Sequence, residues 1–134
     1  MTDKYIGKHI MLDYTGYIPP VNDDADWILN IMKDAATNSG IRVVHHHVEK
    51  FDGGVSPPGF AAVVLVDESH ITAHAYSKIG LLAIDVFTCG KHNPDDVASK
   101  IDTKLKSAIP SLICECRQYS PRFLIKSEIQ EEDK

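Results

Sequence analysis

The side chains best suited to chemistry gather between Val63 and Cys89, in VVLVDESHITAHAYSKIGLLAIDVFTC. The β-branched run Val63 to Val66 ends in Asp67-Glu68-Ser69-His70, and a second apolar run, Leu81 to Phe87, ends in Thr88-Cys89-Gly90. Reactive residues therefore fall where strands stop, with His74 and Asp85 inside the same stretch. A hydroxyl, imidazoles and a thiol carried on rigid strands supply what covalent chemistry requires: a nucleophile, a base and a proton donor. On one strand, His70, Thr72 and His74 alternate onto a single face. The plain alternative is an exposed polar edge with a serine turn.

Other clusters carry less. His45-His46-His47 invites a metal, since imidazole is the commonest transition-metal ligand. On a strand, however, His46 points away from its two neighbours, so the run reads as a strand surface and no metal is expected. The segment Asp52-Gly53-Gly54-Val55-Ser56-Pro57-Pro58-Gly59 reads as a turn between strands, not a phosphate cradle, because no helix start or Lys-Ser/Thr pair follows it. Cys114 and Cys116 lack the second pair that a zinc site needs and read as free thiols.

The elements that must position these groups follow from periodicity and punctuation. Lys8 to Tyr14 predicts a first strand, broken by Gly16 and Pro19-Pro20. Asn22-Asp23-Asp24 caps a helix with Trp27, Ile28, Ile31, Met32 and Ala35 on one face and Gly40 as its stop, Trp27 reading as a core anchor and not as a ligand-stacking ring. Strands are predicted over Ile41 to Phe51 and Phe60 to Asp67. Asn93-Pro94-Asp95-Asp96 opens a second helix whose buried stripe is Val97, Ile101, Leu105 and Ala108. Leu112 to Tyr119 predicts a last strand, and Ser127 to Lys134 a charged, frayed tail. Hairpin-length links between the central strands predict an α+β fold: a two-layer sandwich with an antiparallel sheet and both helices on one face. The other face then needs cover, which a second copy would provide.

The 134 residues, 43% hydrophobic and 25% charged, suit one soluble domain, residues 1–134. A formal net charge of -5 gives no general attraction to nucleic acid or an anionic membrane, and neither is expected as a partner. The start lacks the apolar core of a signal peptide, and no segment approaches the roughly 18 apolar residues of a membrane span. With 3 cysteines, an odd number, free thiols and a cytoplasmic location are expected.

Glu68-Ser69-His70, His74 and Asp85-Val86-Phe87-Thr88-Cys89-Gly90, with Gly7-Lys8-His9 near the start, give the chain a resemblance to a known family. It resembles the short prokaryotic form of S-adenosylmethionine decarboxylase, a pyruvoyl enzyme that makes its own cofactor. The resemblance implies that the Ser69 hydroxyl attacks the Glu68 carbonyl in an N-to-O acyl shift, and that His74 is the base that removes the Ser69 Cα proton. β-Elimination then frees Glu68, and hydrolysis leaves a pyruvoyl group. The products would be a β chain, residues 1–68, and an α chain, residues 69–134, that begins with the pyruvoyl made from Ser69. The resemblance further implies a Schiff base with the substrate amine, loss of carbon dioxide, and Cys89 as the acid that protonates the carbanion. It implies substrate binding by Asp13 and by Phe51, the latter stacking on adenine, and at the positions of Tyr76 and Lys78. It also implies a homodimer of processed protomers that brings Ser69, His74 and Cys89 together across or beside the interface, serving spermidine synthesis.

Three departures from the family pattern, at Tyr76, Lys78 and Ala61, bear on the substrate assignment. Where the family reads His-Thr-Trp-Pro-Glu, this chain has His74-Ala75-Tyr76-Ser77-Lys78. Tyr76 can still stack, whereas Lys78 can donate to a ribose hydroxyl but not accept from it, and it reverses a charge near a cationic sulfonium. A serine that the family places before the processing site falls at Ala61. Three readings stay open: a pyruvoyl decarboxylase of S-adenosylmethionine; the same chemistry on a small amino acid such as ornithine or arginine; and an uncleaved binding or regulatory homologue.

Overall fold

The computed structural model describes residues 5–124; the charged tail predicted over Ser127 to Lys134 lies outside them. In chain order the elements are β1 (Tyr5–Thr15), α1 (Asp24–Asn38), β2 (Val43–Phe51), β3 (Gly59–Val66), β4 (Ser69–Tyr76), a 3-10 turn (Ser77–Ile79), β5 (Leu81–Cys89), α2 (Pro94–Ala108) and β6 (Ile113–Leu124). All strand pairs are antiparallel, in the order β2-β3-β4-β5-β1-β6. The chain therefore forms a meander from β2 to β5 and inserts β1 between β5 and β6.

The helices start where their caps place them. The Asp23 carboxylate accepts from the Asp26 N–H, and the Asn93 side chain accepts from the Asp95 N–H with Pro94 at the first helical position. α1 ends at Ser39, after which Gly40 turns away with a φ of 77°. Both helices lie on the same face of the sheet, α1 over β2, β3 and β4 and α2 over β5 and β1.

Strand alternation builds the core between the layers. Ile10, Leu12 and Tyr14 of β1, Val64 and Val66 of β3, Ile71 and Ala73 of β4, and Leu82, Ile84 and Val86 of β5 are buried against Ile28, Met32, Val97, Ile101 and Leu105 of the helices. Trp27 is only partly buried and packs at the margin of this core. Tyr14 also ties the layers by hydrogen bonding: its hydroxyl donates to Asp102 Oδ1 at 2.7 Å, and burial, then that carboxylate, push its phenol well above the ordinary value.

Among the described residues, no helix or strand covers the sheet's second face. It presents His70, Thr72, His74 and Tyr76 of β4, Asp85, Phe87 and Cys89 of β5, and His9 and Asp13 of β1, the residues that alternate with the core. β6 runs past its expected end at Tyr119 to Leu124 and includes Pro121. As an edge strand it has one unpaired side, where a missing N–H costs no ladder bond.

Candidate active site

β3 and β4 are joined by Asp67 and Glu68 alone, since Val66 already pairs with Ser69. The Asp67 N–H donates to the Arg42 carbonyl at 2.9 Å, and the Asp67 side chain lies 3.5 Å from the Arg42 guanidinium, which ties this turn to the start of β2. Ser69 therefore begins a strand directly after a two-residue turn. Its hydroxyl donates to Cys89 Sγ at 3.1 Å, joining the first residue of β4 to the last of β5. Both are half-buried. Gly90 follows with a φ of 68°, its N–H donating to the Ile6 carbonyl, and a Cβ there would lie 3.6 Å from Glu68 Oε1. One end of the sheet thus gathers Glu68, Ser69, Cys89 and Gly90.

Beside them, Phe87 is an aromatic hub. His70 packs against it edge-on at 5.4 Å between centroids, His9 at 5.7 Å and Phe123 at 5.9 Å, and the Arg122 guanidinium lies 5.4 Å from its ring centre. A polar network crosses the same face: Thr72 Oγ1 donates to Asp85 Oδ2 at 3.2 Å, and His9 Nε2 lies 3.1 Å from Asp85 Oδ1. Burial lowers the pKa of His70; the neighbouring His9 and Arg122 act in the same direction and Asp85 opposes them.

His74 stands apart. It is exposed, paired with Ala83 on β5 and Ala61 on β3, and five residues along β4 from Ser69, about 16 Å at the rise of a strand. The structure brings Ser69 and Cys89 together and does not bring His74 to them within one chain. Instead His74 lines a shallow pocket of about 270 Å³ with Asp13, Tyr76, Leu81 and Glu115. Phe51 and Lys78 line a different depression, about 420 Å³, at the start of α1 beside Asp23 and Lys50. The expected substrate-binding residues are thus divided between two hollows of one protomer.

A model described as S-adenosylmethionine decarboxylase matches residues 8–113. The chain belongs to this family. A protein of Clostridium tetani named S-adenosylmethionine decarboxylase proenzyme is 37% identical over 103 residues, covering 76% of this chain and 79% of that one. One of the same name from Caldanaerobacter subterraneus is 38% identical over 103 residues, covering 76% and 80%. Another, from Methanococcus maripaludis, is 36% identical over 104 residues, covering 77% and 82%. The crystal structure of the adenosylmethionine decarboxylase from Aquifex aeolicus shares the fold, with a TM-score of 0.66 at 23% identity, covering 91% of this chain and 94% of that chain.

Within this S-adenosylmethionine decarboxylase fold, Ala61 lies directly opposite His74 across the β3–β4 ladder, so the missing family serine leaves a methyl group beside that imidazole. Sequence reasoning flagged His9 and Asp85 without joining them, because they meet only when β1 inserts beside β5. It missed Arg122 altogether, which lies beyond the predicted end of the last strand. His47 Nε2 lies 3.0 Å from Glu49 Oε1; the rings of His45 and His46, expected on opposite faces, instead stack with centroids 6.4 Å apart, next to the register irregularity between Val43 and His45 in edge strand β2.

Proposed function

We propose that this chain is a pyruvoyl-dependent decarboxylase of S-adenosylmethionine, a step toward spermidine, and that it cuts itself between Glu68 and Ser69. The observation that carries the reading is the 3.1 Å contact between Ser69 Oγ and Cys89 Sγ directly after the two-residue turn. Membership of the S-adenosylmethionine decarboxylase family supports the substrate.

Ser69 Oγ adds to the Glu68 carbonyl carbon, the C–N bond breaks, and the amide becomes an ester. A base takes the Ser69 Cα proton, the C–O bond breaks, and Glu68 leaves as a carboxylate, giving a β chain of residues 1–68. Water and loss of ammonia turn the remaining dehydroalanine into the pyruvoyl group that opens the α chain, residues 69–134. The residues present fit this group, because Ser69 is half-buried at a strand start with a thiol in contact and no bulky side chain at Gly90. The group supplies an electrophilic carbonyl that accepts the substrate amine and draws electrons from its carboxylate bond. Cys89 holds the proton delivered to the carbon left after decarboxylation.

In this reading His74 is the base for processing and, five residues from Ser69 along β4, acts on the Ser69 of a second copy. Two sheets packed face to face would bury the open side, which exposes Leu65, Tyr76 and Leu81, and would complete each site with Asp13, Phe51, Tyr76 and Lys78 from both protomers.

The test is carbon dioxide release from carboxyl-labelled S-adenosylmethionine, ornithine and arginine side by side. Release from S-adenosylmethionine, abolished in Ser69→Ala, is the expected outcome; turnover of an amino acid with none of S-adenosylmethionine would reverse the substrate assignment.

A further inference from the structure

Arg122 is placed unlike the other arginines. Arg42 and Arg117 each pair with an aspartate, Asp67 at 3.5 Å and Asp95 at 2.6 Å. Among the described residues Arg122 meets no carboxylate; its guanidinium lies over the Phe87 ring and its Nη1 is 3.4 Å from His9 Nδ1. An arginine can only donate, so Nδ1 of His9 accepts and its hydrogen sits on Nε2, directed at Asp85 Oδ1. Asp85 already accepts from Thr72 and lies 3.1 Å from His9, and among the described residues no carboxylate is placed against the charge of Arg122.

The position of that charge is set by Gly7, which pairs with Cys89 on one side and with Arg122 on the other. Cys89 and Arg122 are two strands apart, about 10 Å between Cα atoms. The strand between them carries no Cβ because side chains close over Gly7: a Cβ there would fall 2.9 Å from Phe87 Cε1 and 3.1 Å from both Arg122 Cβ and Phe123 Cδ2. Phe123, next in sequence, has a φ of 57°, and both it and Arg122 reach Phe87. A bulky residue in the left-handed region costs energy and persists where its surroundings demand it, here at the end of a strand facing the reactive pair.

We infer that Arg122, steadied by His9, binds the α-carboxylate of the amino-acid moiety whose amine reacts at residue 69. This rests on the decarboxylase reading above. In such a substrate the carboxylate is one carbon from the reacting nitrogen, and Arg122, lying over Phe87, carries its guanidinium from β6 toward β5, the strand that ends in Cys89. Arg122 lies on β6 beyond residue 113, where the match to the family model ends. Because the carboxylate is lost during reaction, the arginine grips substrate more than transition state, and its removal should act on KM before kcat.

The test compares Arg122→Met, which keeps the stem against Phe87 and deletes the charge, with Arg122→Lys and wild type. Intact mass first establishes cleavage at Glu68/Ser69 in each. For Arg122→Met the expected result is KM for S-adenosylmethionine raised about ten- to a hundredfold, the range of a charge-assisted hydrogen bond, with a smaller change in kcat. The inhibition constant of the decarboxylated product, which lacks only that carboxylate, should stay within about twofold of wild type, and Arg122→Lys should restore part of KM. Parallel weakening of substrate and product, an unchanged KM, or an Arg122→Met chain that no longer cuts would each overturn the assignment. A wild type that remains whole would overturn the decarboxylase reading beneath it, an outcome the mass shows before any kinetics.

Discussion

At the scale of single residues, the site depends on which groups touch and which do not. Cys89 contacts Ser69 and stands four residues along β5 from Asp85, about 13 Å at the rise of a strand, so its substitution should separate two steps. Cys89→Ala is expected to yield a cleaved chain whose decarboxylation is at least about tenfold slower, in keeping with the loss of a general acid, or which gives products protonated at the wrong carbon. Electrophoresis and product analysis check both, and full activity in Cys89→Ala would remove the thiol from the mechanism. His70 carries a pH signature. Its folded pKa is lowered, by burial first, so the unfolded chain binds the proton more readily. This contribution leaves stability intact above the unfolded imidazole value of about 6.5 and reduces it as pH falls below that value, until the folded pKa is passed. Urea midpoints from pH 7.5 to 5 should therefore fall less steeply in His70→Gln than in wild type; equal slopes would contradict the assignment.

At the scale of elements, the site exists because strands end together. The hairpin turn at Asp67-Glu68 and the last residue of β5 lie at the same end of the sheet, and Gly90, with a φ of 68°, turns the chain there beside Glu68. β1 is held by Tyr14, whose hydroxyl reaches across the core to Asp102 of α2, while Lys106 holds the other carboxylate oxygen at 3.2 Å. Tyr14→Phe removes one buried hydrogen bond and should lower unfolding stability by about 1–2 kcal/mol in urea titrations, with little effect on cleavage. A loss of processing in Tyr14→Phe without a loss of stability would mean that β1 acts on the site by another route. Much of this layer was legible in the sequence. The caps at Asp23 and Asn93, the alternation through β3 to β5, and the stop at Gly40 are local signals, and the structure follows them. What could not be read was non-local. Nothing in Gly7-Lys8-His9 says that β1 lies between β5 and β6, yet that insertion alone joins His9 to Asp85 and places Gly7 between Cys89 and Arg122. The end of β6 was misjudged for a related reason: Pro121 argues against a strand unless the strand is known to be an edge. Among the candidate site residues, Ser69 and Cys89 were recognisable from their motif blocks, but the separation of His74 from them is a matter of strand rise, visible once β4 has fixed bounds.

At the scale of the whole molecule, the two layers formed by the described residues leave one sheet face bare, and that face carries the candidate reactive groups together with apolar ones. Leu65, 42% exposed, lies on it. A charge there should oppose the proposed face-to-face pairing, so Leu65→Glu is expected to shift the sedimentation mass from dimer toward monomer and to slow cleavage, since under that proposal His74 reaches Ser69 only in a second copy. Rapid cleavage in a strictly monomeric Leu65→Glu protein would show that the cut needs no second copy. The described helices include none long and apolar enough to cross a membrane. The most direct test of the whole account is the intact mass of the purified wild-type protein. Two polypeptides meeting at Glu68/Ser69, the second beginning with a pyruvoyl group in place of Ser69, are the predicted result. One continuous chain carrying an unmodified Ser69 would contradict it.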